Sequence, residues 1–125
     1  MATEGFEQGL QTRREVLGEE YVERALAARN SSPFGATWQE FLTEYCWGRS
    51  WGNDDLPRAT RSLITISLLA ALGKSKELAT HIHGARRNGC TAEQVRAALV
   101  HTAVYAGVPV GVDAFRVADE VWGQQ

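Results

Sequence analysis

Residues 57–73, PRATRSLITISLLAALG, constrain the fold more than any other part of the chain. After Ser62 nearly every position is apolar, so no single face of the segment is left for water. A helix that is apolar all round is buried among other helices. The run LITISLLAAL is far short of a membrane span and carries Thr65 and Ser67, so the expected surroundings are protein and not lipid. The remaining segments should then be helices that enclose it.

The punctuation elsewhere fits that expectation. Phe6, Leu10, Val16 and Leu17 recur among charges before Gly18 stops a first helix at about residues 5–17. A second runs through EEYVERALAARN. Ser32 as cap and Pro33 as first-turn residue start a third, SPFGATWQEFLTEYCWG, in which Phe34, Trp38, Phe41, Leu42 and Tyr45 keep helical spacing. RSWGNDDLP reads as a loop, because Asn53, Asp54 and Asp55 suit turns and Pro57 suits a helix start. Gly73 ends the fourth helix. ELATHIHGARRNG forms the fifth, closed by Gly89 as a left-handed cap. Thr91 and Gln94 make a capping box that opens the sixth, Gly107 and Pro109 break it, and VGVDAFRVADEVWG is the last. No segment alternates with period two for long enough to be a strand. The expected fold is all-α, with roughly six to seven helices in a single domain over residues 1–125. Its core is expected from Pro33 onward, the first two helices packing on it or on a neighbouring subunit.

With 44% apolar and 22% charged residues, the chain has the balance of a soluble globular protein. A net charge of −2, with arginines spread among acids, argues against nucleic acid or a membrane surface as partner. The segment MATEGFEQGL lacks the basic stretch and apolar run of a secretory signal, so a cytoplasmic protein is expected. Cys46 and Cys90 form no Cys-x-x-Cys pair and read as packing thiols.

Several polar residues are candidates for chemistry. Glu77 and His81 lie one helical turn apart on one face. They are either an acid/base pair, with the carboxylate orienting the imidazole, or an exposed intrahelical ion pair. His83 is rotated about 200° from His81, so one helix cannot present both to a metal; His83 reads as a surface residue, and no zinc site is expected. Arg61 opens an otherwise apolar helix and needs a partner. It is an anion anchor or the cation of an ion pair with an acid such as Asp113 or Glu120. His101 and Tyr105, also one turn apart, point into a pocket or are satisfied core groups. Trp47 and Trp51 flank Arg49 and either wall a pocket or fill a subunit interface.

The run RSLITISLLAALGKSKELATHIHGARRNGCTAEQVRAALVHTAVYAGVP resembles the carboxymuconolactone decarboxylase family, within the alkylhydroperoxidase-D-like all-helical superfamily. The upstream Trp-Gly-x-x-Trp and Leu-Pro-Arg-x-Thr-Arg-Ser pieces strengthen the resemblance, which runs from about Gly9 to Trp122. It implies a bacterial carboxy-lyase of the β-ketoadipate pathway of aromatic catabolism. Such an enzyme turns 4-carboxymuconolactone into 3-oxoadipate enol-lactone and CO2 without a cofactor or metal. It also implies a ring-shaped homo-oligomer, commonly a hexamer. The peroxidase relatives carry two cysteines where this chain has Lys74 and Glu77, with His81 falling on their histidine, which argues against peroxide reduction. A redox role, or action on another lactone, is the alternative.

The implied dicarboxylate lactone contains its own electron sink. Losing CO2 sends electrons through a double bond onto the lactone carbonyl, so catalysis needs donors at that oxygen and an acid for the carbon α to it. His81, oriented by Glu77, is expected to be either the proton donor to that carbon or the donor to the lactone oxygen. Arg61 or Arg49 would hold the acetate arm, Trp47 or Leu68 would be the apolar wall for the departing carboxylate, and His101 and Tyr105 would be second-choice donors.

Overall fold

The computed structural model describes residues 3–123. The elements are α1 (Glu4–Leu17), α2 (Glu19–Ala27) with a 3-10 turn at Ala28–Asn30, and α3 (Gly35–Phe41), which runs without a break into a π-helical stretch (Leu42–Ser50). They continue with α4 (Arg58–Ala71), α5 (Ser75–Arg87), α6 (Ala92–Ala106) and α7 (Val108–Trp122). No strand occurs among the described residues, so the all-α expectation holds. The chain forms two compact units that divide between Leu56 and Pro57, each with its own apolar core.

In the first unit α1 packs on the π-helical stretch. The Thr3 side chain caps α1 by accepting from the Phe6 amide at 3.0 Å. Phe6, Leu10, Val16 and Leu17 then bury against Val22, Trp47 and Trp51. The crossing is close because Gly9 leaves a notch: a Cβ there would lie 2.0 Å from the Thr43 carbonyl oxygen. The expectation that the core begins at Pro33 is thus corrected, since α1 is central to a core. The third helix also starts later than expected, at Gly35. Ser32 does not cap it; its hydroxyl accepts from the Phe34 amide at 3.1 Å in the preceding turn. The helix also runs further than expected, through Arg49 and Ser50, which are helical and not loop.

In the second unit α4, α5, α6 and α7 enclose Ile66, Leu78, Ile82 and Leu99, all essentially inaccessible to water. The capping box at Thr91 and Gln94 opens α6 as expected. Gly89 has φ 91°, a conformation glycine adopts without a Cβ penalty. The Asn88 side-chain amide donates to the buried Ser62 hydroxyl at 2.8 Å, which ties the end of α5 to α4. Pro109 does not terminate a helix; it sits in the first turn of α7, where its missing amide hydrogen costs nothing. One expectation fails clearly: α4 is not buried on all sides. Ser62, Ile66 and Ala70 face the core, while Ile64, Leu68 and Leu72 are 45%, 57% and 68% exposed. Among the described residues no helix is long and apolar enough to cross a membrane.

Candidate active site

His81 sits on the flank of the apolar face that α5 makes with Leu78, Ile82 and Ala85. Burial lowers its imidazole pKa from the ordinary 6.5 to about 4. Charging the ring there costs solvation. His81 is therefore neutral at pH 7 and offers one N–H donor and one lone pair. Glu77 lies one turn earlier, exposed, in the first turn of α5 where the helix dipole favours a carboxylate. A carboxylate held against the ring would raise the imidazole pKa, and Glu77 does not offset the lowering.

Arg61 is half-buried near the start of α4. It precedes Leu68 by two helical turns on the same face, about 10 Å along the axis. Asp113, one of its candidate partners, is engaged by Arg116 at 2.7 Å. His83 is half-buried and not fully on the surface. Among the described residues no three His, Cys, Asp or Glu side chains gather as a metal site would require.

Between α4 and α6 lies an open groove of about 780 Å³, with Leu63, Ile64, Leu68, Ala98, His101 and Tyr105 in its walls. The His101 and Tyr105 rings are 5.1 Å apart and both are exposed, so neither is a core group. The Ser67 and Thr102 hydroxyls in the lining donate back to the Leu63 and Ala98 carbonyls, each at 2.8 Å. Gln94 is occupied in the capping box. His101 and Tyr105 thus supply the polar character of a groove without a charged side chain in its walls.

Trp47 and Trp51 stack at 5.1 Å inside the core of the first unit, where Trp47 is 4% exposed. They fill their own unit's interior, and Arg49 between them is exposed on the π-helical stretch. Burial pushes the Cys46 and Cys90 thiols up, away from thiolate, and the Cys90 thiol donates to the Ala59 carbonyl at 3.3 Å. Neither has the low pKa of a reactive cysteine.

Sequence reasoning missed Arg13. It is 3% exposed, donates to the Gln39 side-chain oxygen at 2.8 Å and to the Thr43 hydroxyl at 3.4 Å, and burial lowers its pKa. The signal was present, because Arg13 continues the Phe6, Leu10, Leu17 stripe at helical spacing.

The carboxymuconolactone decarboxylase family model matches residues 36–120. A 4-carboxymuconolactone decarboxylase from Acinetobacter baylyi (strain ATCC 33305 / BD413 / ADP1) is 40% identical over 117 residues, covering 94% of this chain and 86% of that protein. A nitrosuccinic acid decarboxylase from Metarhizium robertsii (strain ARSEF 23 / ATCC MYA-3075) is 42% identical over 115 residues, covering 92% of this chain and 79% of that protein.

Proposed function

The chain belongs to the carboxymuconolactone decarboxylase family, and from that premise we propose that it is a carboxy-lyase acting on 4-carboxymuconolactone. The observation that carries this reading is the 40% identity to the Acinetobacter enzyme over 94% of the chain. We read the protein as a cytoplasmic homo-oligomer, a hexamer as the family resemblance of the sequence implies.

In this reading the bond to the departing carboxylate breaks and its electron pair passes through the ring double bond to the lactone oxygen. CO2 leaves as that bond breaks, and a proton, taken from water or a nearby acid, then joins the carbon α to the lactone carbonyl. The neutral His81 imidazole suits the stabilisation of that oxygen. Its N–H donates as charge collects there, without a standing positive charge that would also hold the ground-state carboxylate. Arg61, always charged, anchors the carboxylate arm that is retained. Glu77 acts on His81 only weakly in this assignment. His101 and Tyr105 are second candidates for the proton donor.

A second reading is favoured by the Metarhizium relative. Nitrosuccinic acid is also a dicarboxylate that loses one CO2, and the electron pair moves into the nitro group to give a nitronate. The demands are the same, a donor where the anion forms and a cation for the retained carboxylate. The test is CO2 release from freshly generated 4-carboxymuconolactone and from nitrosuccinic acid, beside His81→Ala. Turnover of the lactone, reduced at least about a hundredfold in the variant, is the expected result. Turnover of nitrosuccinic acid alone moves the assignment to the second reading. Wild-type rates in the variant remove His81 from the mechanism.

A further inference from the structure

The α4–α6 groove suits something other than a dianionic substrate. Its walls hold no cation, and the Ser67 and Thr102 hydroxyls are engaged within their own helices. A carboxylate placed there would lose hydration and gain no counter-charge. The groove calls for a row of apolar side chains.

The chain carries such a row in its first unit. Phe34, Trp38, Phe41 and Tyr45 follow one another at helical spacing along α3 and the start of the π-helical stretch. They are 79%, 57%, 51% and 56% exposed. Three of the rings stack in sequence, Trp38 on Phe41 at 5.8 Å and Phe41 on Tyr45 at 5.3 Å, and form a ridge that Phe34 extends at its N-terminal end. From Phe34 to Tyr45 is about 16 Å of helix, which matches the α6 wall of the groove from Gln94 to Tyr105. At about 200 Å² per aromatic side chain, the ridge leaves roughly 500 Å² in water. Ile64, Leu68, Val104 and Tyr105 offer a comparable exposed area on and beside the groove. A joint between the two would bury about 1,000 Å², the size at which a specific protein–protein contact begins.

We propose that the aromatic ridge of α3 in one copy of the chain seats in the α4–α6 groove of a second copy, as a helix lies in an apolar groove. Ridge and groove are different surfaces, so the contact is head-to-tail and each copy has one of each to offer. Docking takes His101 and Tyr105 out of solvent and so withdraws them as candidates for the proton donor, and it leaves Arg61, two turns before Leu68, towards one end of the joint. The proposal rests on the homo-oligomer reading above but not on the reaction.

The test uses the full chain. Light scattering after size exclusion at tens of micromolar compares wild type with Phe41→Glu and Leu68→Glu, two exposed positions where the helices should survive, as circular dichroism would verify. Both variants should associate at least tenfold more weakly. In a second arm, chains carrying Trp38→Cys and chains carrying Leu68→Cys, each also Cys46→Ala, are mixed and treated with a short bismaleimide. Cross-links should join unlike chains in preference to like ones. A monomeric wild type overturns both the oligomer reading and this inference. An oligomer that keeps its mass in both glutamate variants, or that cross-links like positions such as 68 to 68, overturns this inference alone.

Discussion

His81 makes two measurable statements about protons. Its pKa is 6.5 when the chain is unfolded and about 4 in the fold. Between those values the unfolded chain binds the proton and the native chain does not, so stability rises with pH across that window and is lost as pH falls through it. The full loss is about 3 kcal/mol. Urea midpoints at pH 7.5 and pH 5 should show that slope in the wild type and not in His81→Gln. Equal slopes would mean that the ring titrates normally in the fold. The second statement concerns rate. A neutral donor keeps its activity from pH 8 down to about 5, whereas an imidazolium acid with this pKa would already be lost at neutral pH. Because Glu77 is exposed and does not raise the pKa of the ring, Glu77→Gln should cost less than about tenfold in kcat, far below the effect of His81→Ala. A loss as large as that of the alanine variant would show that the carboxylate turns inward when substrate binds.

At the scale of elements the crossing of α1 over the π-helical stretch is the most demanding contact. Gly5 and Gly9 are on the same face of α1, but their surroundings differ. A Cβ at Gly9 would meet backbone, the Thr43 carbonyl oxygen at 2.0 Å, whereas at Gly5 it would meet the movable Glu44 side chain at 3.2 Å. Gly9→Ala should therefore destabilise the protein by about 2–3 kcal/mol, while Gly5→Ala should be neutral or gain up to about 1 kcal/mol of helix propensity. Thermal unfolding of the two variants measures the contrast, and similar behaviour would show that the helices can separate cheaply. The same elements show what was legible beforehand. The Thr91 and Gln94 box and the Gly18, Gly73 and Gly89 stops act through local bonds and local dihedrals, so residues alone place them. Ser32 and Pro33 looked like an equally local start, yet the chain closes a turn first and begins α3 at Gly35. The π-helical stretch was not legible, because its register depends on packing against α1, and the Phe34 to Tyr45 spacing is compatible with an ordinary helix.

At the scale of the molecule the exposed apolar residues are not scattered singly, as surface leucines commonly are. They line up as Phe34, Trp38, Phe41 and Tyr45 on α3 and its continuation, as Ile64, Leu68 and Leu72 on α4, and as Val100, Val104 and Tyr105 on α6. Sequence reasoning gave α4 the right property and the wrong cover. An all-round apolar helix must be enclosed, but its pattern does not say whether its own chain or another copy does the enclosing. Candidate residues were limited in the same way. His81 and Arg61 stand out as candidates by type and spacing, whereas the apolar groove that Leu68 lines is visible only in the fold. The family match covers residues 36–120 and so crosses the division at Leu56 and Pro57. Uncovered stripes of this kind make the free energy of folding depend on assembly. If copies cover them for one another, native chains are favoured by mass action and unfolded ones are not. Each tenfold dilution then removes between about 0.7 and 1.4 kcal/mol per chain, depending on the number of copies. For a domain of this length that lowers Tm by about 2–6 °C per decade of concentration. Calorimetry or circular dichroism across roughly two decades of micromolar concentration would read the shift directly. A Tm that stays constant over that range would show that the stripes remain in water, and the homo-oligomer reading would fall with it.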